Sequence, residues 1–276
     1  MRSLTLVPVG GLGNRIEAMS SAIAFCKEQK VKLKILWFKD CGLNCDYEKL
    51  FFLDPALADV EIRNAKGFDF FLRDNPRKRN LWIPYFFEKC YYDKCIYYYD
   101  NDFQVKNEYP PFDNQLDRYS KIYMVSCGLY WKDENMYQWI KLSNNIEKRV
   151  QDALTLFSSN MIGIHIRRTD NSNTIKYSPT ELFINAIDKE IEQDENVSFF
   201  LATDSMDEKK RLKNLYGNRI ITFMKDTNRN TEEGIIDAFV EMNILSRTNR
   251  LYAGDSSFAR SSSNLSGIDY IQLDLR

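Results

Sequence analysis

The stretch Ile162-Gly163-Ile164-His165-Ile166-Arg167-Arg168-Thr169-Asp170 is an apolar run that stops abruptly at two arginines and a carboxylate. An apolar run of this length reads as a buried strand of an α/β sheet, and ligands of such sheets gather beyond the carboxyl ends of the strands. Arg167 and Arg168 therefore fall where substrates bind, directly after His165, the one histidine of the chain. A guanidinium stays charged and presents paired donors to phosphate oxygens, which a lysine ammonium does not. This is the chemistry of an anion site, and a diphosphate is its natural guest. Taken alone, the same residues also suit salt-bridged surface arginines and a satisfied strand-end histidine, so the rest of the chain decides.

Downstream, strands and helices alternate. A strand over 161–166 precedes a helix from Pro179, a strand over 198–202, a helix from Met206, a strand over 219–223, a helix from Glu232 and a strand over 250–253. Ser178-Pro179-Thr180-Glu181 combines an N-cap serine, a first-turn proline and a capping-box glutamate, with Leu182, Phe183, Ala186 and Ile187 as the core face behind it. Four βα steps in series predict a parallel sheet covered by helices, a Rossmann-like domain over 159–276.

Upstream, Ser158-Ser159-Asn160 is a short polar joint, and Ile146, Val150, Ala153, Leu154 and Phe157 line a helix beginning after Ser143. Residues 122–127 read as a strand. The chain opens with a strand over 4–10, the glycine turn Gly10-Gly11-Leu12-Gly13-Asn14-Arg15, a helix carrying Ile16, Met19, Ala22, Ile23 and Cys26, and a strand over 32–38. A second, more decorated Rossmann-like domain over 1–158 is expected. Between residues 41 and 117 the pattern loosens. The aromatic crowd from Trp82 to Phe112 suits either core and loop packing or stacking on an acceptor sugar.

Composition narrows the class. Of 276 residues, 44% are hydrophobic and 28% charged, which suits a folded chain of two domains. Thirty-eight basic residues nearly balance 39 acidic ones, so no global field draws the protein to nucleic acid or an anionic membrane, and an anion site must be local. The N-terminal apolar segment is too short for a spanning helix or a signal peptide, and six cysteines read as reduced thiols, so a cytoplasmic location is expected. Cys41 with Cys45 and Cys90 with Cys95 lack zinc-knuckle spacing. Asp100-Asn101-Asp102 reads as a loop rather than a metal site.

Two further strand ends carry chemistry. Ala202-Thr203-Asp204 ends the strand beside His165, and its carboxylate either accepts from the N–H groups of a guanine or caps the next helix. Tyr252-Ala253-Gly254-Asp255-Ser256-Ser257-Phe258-Ala259-Arg260 sets two serine hydroxyls at a helix start, where free amides and the helix dipole favour a phosphate. The glycine turn before Asn14 likewise lets the backbone approach a ligand at a helix N-terminus. It lacks both the dinucleotide spacing and a P-loop lysine.

In order, the Gly-x-Gly-Asn turn, His165-x-Arg167 with Asp170, Ala202-Thr203-Asp204 and Ser256-Ser257-Phe258-x-Arg260 resemble the GDP-fucose fucosyltransferase superfamily, which includes α1,2-, α1,6-, protein O- and nodulation fucosyltransferases. The resemblance covers most of residues 160–265 and the first 25 or so. It implies an α/β fold of the GT-B type, two Rossmann-like domains facing a cleft, with the donor on the C-terminal domain and the acceptor on the other. It implies inverting transfer of fucose from GDP-fucose to a glycan hydroxyl without a metal or other cofactor.

By the same resemblance, Arg167 holds the β-phosphate, His165 and Asp204 the guanosine, and Ser256 and Ser257 the phosphates, with Phe258 a further donor-binding residue. Gly11 and Gly13 also bind the donor, Asn14 reaches the reaction centre, and Arg168, itself a donor-binding residue, and Asp170 steady the arginine loop. Where α1,6 enzymes continue with a lysine and a glutamate, this chain reads Asn171-Ser172-Asn173-Thr174-Ile175. The general base is open among Asp170, Glu17 and Asp40. A lipid-linked or surface oligosaccharide suits a cytoplasmic enzyme that touches the membrane only peripherally. The rival readings are a non-catalytic nucleotide-sugar binding protein, a transferase using GDP-mannose or an adenylated sulfate, and a purely structural α/β scaffold.

Overall fold

The computed structural model describes residues 2–40, 42–72, 83–97, 118–169, 172–225, 228 and 230–276. Asp170, Cys41, Trp82, Asp100-Asn101-Asp102 and the aromatic residues between 98 and 112 lie outside the described residues. The chain divides into two compact units, Met1–Ser143 and Asn144–Arg276.

The first unit contains β1 (Ser3–Pro8), α1 (Leu12–Gln29), β2 (Lys32–Trp37), β3 (Phe51–Leu53), β4 (Val60–Asn64), α2 (Ile83–Tyr91), β5 (Lys94–Tyr97), β6 (Lys121–Ser126) and β7 (Ile140–Leu142). Its main sheet is parallel with order β4-β2-β1-β6-β5. Consecutive residues Leu4 to Val7 and Ile35 to Trp37 are buried, as strands covered on both faces require. β3 and β7 form a separate antiparallel pair.

The second unit contains α3 (Asn144–Leu154), β8 (Met161–Ile166), α4 (Ser172–Tyr177), α5 (Thr180–Gln193), β9 (Ser198–Thr203), α6 (Met206–Tyr216), β10 (Ile220–Ile221), α7 (Glu232–Leu245), β11 (Arg250–Ala253), α8 (Ser257–Ser266) and β12 (Asp269–Gln272). The sheet is parallel with order β10-β9-β8-β11-β12, so the arginine-tipped strand lies at its centre. Ile162, Ile164 and Ile166 are fully buried against Phe183, Ile187, Phe199 and Leu201. Burying such a side chain contributes about 1.5–3 kcal/mol. Gly163 admits no side chain, because a Cβ there would lie 2.8 Å from Thr248 Oγ1 and 3.0 Å from Leu251 Cδ1.

Several local expectations change. α3 packs along α7, with Arg149 bonded to Glu233 and Asp237, so this helix joins the second unit and the boundary falls before it. Phe157 lies beyond α3 and packs its ring on Phe200 instead of completing the helix face. The N-cap of α5 is Pro179, not Ser178, and no side chain caps it. Glu181 pairs with Arg211 at 2.9 Å rather than closing a capping box. β10 is only two residues long, while β4 and β12 extend the sheets beyond the expected strands. No helix among the described residues is long and apolar enough to cross a membrane.

Candidate functional site

From β8 the second sheet grows through β9 to β10, then returns across α7 to β11 on the other side of β8. The order reverses between β8 and β11, and the crevice beyond the carboxyl ends at such a reversal is the ligand site of open α/β sheets. His165 and Arg167 leave β8 at this point, and Gly254, Asp255 and Ser256 leave β11. The second unit's motifs therefore lie at one edge of its sheet.

His165 pairs in register with Ala202 on one side and Ala253 on the other, small neighbours that leave room for its ring. That ring is 8% exposed and stacks on Phe258 from the first turn of α8, centroids 4.9 Å apart and planes 20° apart. Ser256 is the N-cap residue of α8, yet its side chain does not cap. Its hydroxyl is buried and has no hydrogen-bond partner among the described residues, an arrangement that costs about 1–3 kcal/mol for a polar group deprived of water. A buried uncommitted hydroxyl at a helix N-terminus is a seat for an anion. Tyr270 from β12 steadies the turn by donating its hydroxyl to Gly254 O at 2.6 Å, and burial pushes that phenol up to about 12.

The two arginines part company. Arg168 turns inward, donating to Ser178 O and Thr180 Oγ1, each at 2.9 Å, and approaching Glu208 at 3.5 Å. It anchors the loop to α5 and α6. Arg167 stays half-buried at the edge, and its carbonyl accepts from Arg168 Nη1 at 2.9 Å. Asp204 accepts from Arg168 N at 2.7 Å and from Thr169 Oγ1 at 2.6 Å, with Thr169 N at 3.3 Å. Three of roughly four lone-pair positions of a carboxylate are thus engaged within the protein. α6 is capped by Ser205, whose hydroxyl accepts from Glu208 N, and not by Asp204.

The first sheet reverses its order between β1 and β6, with the glycine turn at the end of β1 and Cys127-Gly128 at the end of β6. Gly10 alone in this turn adopts a left-handed conformation, φ +85°, and a Cβ there would lie 2.8 Å from Asn14 Nδ2 and 3.0 Å from Cys127 Sγ. Gly11 is extended with open space at its Cβ position, and Gly13 is buried in the first turn of α1. The demand for glycine therefore falls on Gly10, before the two glycines singled out in the sequence.

Arg15, fully buried, ties this turn together. Its guanidinium donates to Gly10 O at 3.0 Å, Phe38 O at 2.7 Å and Asp40 Oδ2 at 2.7 Å, beneath the Trp37 ring. Asp40 Oδ1 also accepts from Gly42 N and Leu43 N, so this candidate base is held inside the turn. Glu17 is buried with Oε2 3.5 Å from the position of a Cβ on Gly128. Burial, then the Glu17 charge, raises the neighbouring Cys127 thiol. Sequence reading missed Arg15 as a brace, Cys127 and Tyr270. An arginine after a glycine turn, matched by an aspartate just past the second strand, was the available signal for the first.

Among the described residues no group of three or more His, Cys, Asp or Glu side chains converges as for a metal ion.

No family model matches the chain, and no curated protein matches it in sequence. Solved structures match over nearly the whole length. NodZ α-1,6-fucosyltransferase soaked with GDP-fucose is 18% identical with a TM-score of 0.63, over 96% of this chain and 92% of that one. Fucosyltransferase NodZ from Bradyrhizobium is 17% identical with a TM-score of 0.60, over 95% and 92%. POFUT1 in complex with GDP is 13% identical with a TM-score of 0.60, over 99% and 98%. The two parallel sheets, each with its order reversed beside its first strand, give this chain the GT-B fold of the GDP-fucose fucosyltransferases.

Proposed function

We propose that the protein is a glycosyltransferase that moves fucose from GDP-fucose to a glycan hydroxyl. The observation that carries this reading is that Arg167 and the buried Ser256 hydroxyl, which has no hydrogen-bond partner among the described residues, follow the adjacent strands β8 and β11 at the order reversal. It is supported by solved structures of the same fold that hold GDP or GDP-fucose. Arg167 binds the β-phosphate, Ser256, Ser257 and the first amides of α8 bind phosphate oxygens, and His165 with Phe258 behind it lies on the guanosine side. Asp204 and Arg168 serve this site by fixing the loop that presents Arg167.

In the reaction the acceptor oxygen forms a bond to the anomeric carbon as the bond from that carbon to the β-phosphate oxygen breaks. Attack from the face opposite the leaving group inverts the centre, and the hydroxyl proton passes to a base. Negative charge grows on the departing GDP, and a positioned guanidinium stabilises it by about 3–4 kcal/mol in a dry site. Arg167 supplies that charge with no metal in the scheme. The first unit is assigned to the acceptor, with Asn14 at its reacting edge. Glu17 and Asp170 stand as base candidates, Asp40 being engaged by Arg15. The acceptor is assigned to a cytoplasmic glycan pathway, as a lipid-linked or surface oligosaccharide.

The test is transfer of labelled fucose from GDP-fucose across a broad glycan array. Wild type should label at least one acceptor, and Arg167→Ala should lower the rate about 10²–10³-fold. No transfer to any glycan would overturn the proposal.

A further inference from the structure

A cavity of about 480 Å³ opens on the first unit, and none of the glycine-turn residues lines it. It lies along the second half of α1, between Ile23 and Glu28, and is closed by the segments around Asp54 and Met136. α1 begins at the glycine turn, so at 1.5 Å per residue the cavity starts about 16 Å along the helix from Leu12. Its volume is within the range of ligand pockets, about 300–1,000 Å³.

The lining has two parts. Ile23, Met136 and Trp139 are nearly fully buried and form an apolar floor. Trp139 is fixed by donating Nε1 to Ser20 Oγ at 3.2 Å. Around them stands a rim of planar polar groups. The side-chain amides of Asn135 and Gln138 have no hydrogen-bond partner among the described residues. Glu28 accepts from Trp131 Nε1 at 3.2 Å, Asp54 pairs with Lys141 at 3.2 Å, and Asp133 accepts from Asn135 N at 2.8 Å.

Each class of guest meets this lining differently. A purely apolar ligand would strip water from the amides and carboxylates without replacing their hydrogen bonds, at about 1–3 kcal/mol per group. A phosphate, sulfate or carboxylate would face Glu28, Asp54 and Asp133, with Lys27 as the one lining cation among the described residues. A neutral saccharide fits both parts, setting its C–H face on the apolar floor while its hydroxyls donate to the carboxylates and exchange paired bonds with the amides. From this we infer that the cavity binds a neutral oligosaccharide and serves as a remote contact for the glycan acceptor. The acceptor role rests on the proposed fucosyl transfer, whereas the saccharide site stands on the cavity itself.

The experiment screens the full-length protein on an array of neutral tetra- to hexasaccharides of glucose, galactose, mannose and N-acetylglucosamine, with sialylated and sulfated glycans alongside. The same is done for Ala24→Trp, which fills the cavity, and for Asn135→Ala with Gln138→Ala, which strips the rim while leaving the floor. GDP binding is titrated on all three proteins. Wild type should retain a neutral oligosaccharide and ignore the anionic ones, both variants should bind it at least tenfold more weakly, and GDP affinity should not move. No retained glycan, a preference for anionic glycans, or wild-type affinity in both variants would overturn the inference. Absence of GDP binding with cavity-dependent glycan binding intact would instead count against fucosyl transfer.

Discussion

The carboxylate of Asp204 closes on Thr169, accepting the threonine hydroxyl at 2.6 Å at Oδ2 while Oδ1 accepts the neighbouring Arg168 amide at 2.7 Å. A residue at the end of β9 thus fixes the loop that leaves β8, and with it the position of Arg167. The role is positional, set by the donors of two residues of the same loop and not by the helix that follows Asp204.

Asp204→Ala should leave the Arg168 and Thr169 amides without an acceptor, at a cost of about 1–3 kcal/mol in stability. GDP affinity should fall about tenfold as the Arg167 loop loosens. Asp204→Asn, which keeps one acceptor oxygen, should recover part of both. Urea denaturation and calorimetry read the two effects, and an alanine variant equal to wild type in each would refute the brace.

Arg15 provides a second test, on the first unit. From a fully buried side chain it donates to Gly10 O, Phe38 O and Asp40 Oδ2. Arg15→Met leaves Asp40 without its counter-charge, and breaking a buried pair in this way costs about 3–5 kcal/mol. Arg15→Lys keeps the charge but not the fork, so it should restore less than half of the loss. A shift in unfolding free energy below about 1 kcal/mol for the methionine variant would contradict this reading.

Gly254 sits at the turn out of β11, where a Cβ would lie 2.7 Å from Ser178 Oγ and 2.8 Å from Thr174 Cγ2. Both neighbours are buried, so Gly254→Ala must displace α4 or the Ser178 turn, at about 1–3 kcal/mol. Gly254 lies two residues before Ser256 on the turn into α8, so GDP binding should weaken beyond what thermal stability alone would explain. Calorimetry below the melting range separates the two.

Stability should also depend on pH through Glu241. Burial pushes this carboxyl up to about 7; the Lys209 ammonium at 3.9 Å opposes the shift and Asp237 adds to it. Between the ordinary value of 4.5 and about 7 the folded protein holds a proton that the unfolded chain has released. Stability from this group is therefore present at low pH and lost as pH rises through that window, by on the order of 3 kcal/mol. Glu241→Gln should flatten this part of the profile of urea midpoint against pH. A profile unchanged by the substitution would rule the effect out.

Much of the second unit was legible because its chemistry is local. β8 is a continuous apolar run with charges at its end, and the starts of α6 and α7 are marked by Ser205 and Thr231, whose hydroxyls accept from Glu208 N and Gly234 N. Other features depend on partners distant in sequence. The α5 start reads as a capping box, but the N-cap position falls on Pro179, which has no capping side chain, and Glu181 is drawn to Arg211. β4 and β12 are short, only partly buried edge strands whose Val-Glu-Ile-Arg-Asn and Asp-Tyr-Ile-Gln sequences carry little apolar signal. Arg15 and Tyr270 stand in plain view, yet their roles appear only when Asp40 and Gly254 fold against them.

The central claim is a GDP site built on Arg167 at the β8/β11 edge. The most direct measurement is calorimetric titration of wild type and Arg167→Ala with GDP, UDP, CMP and adenosine 3′,5′-bisphosphate in the absence of added metal. The assignment predicts selective binding of GDP by wild type, with affinity lost or lowered at least tenfold in Arg167→Ala. Binding of no nucleotide by wild type, or equal GDP affinity in the two proteins, would contradict it.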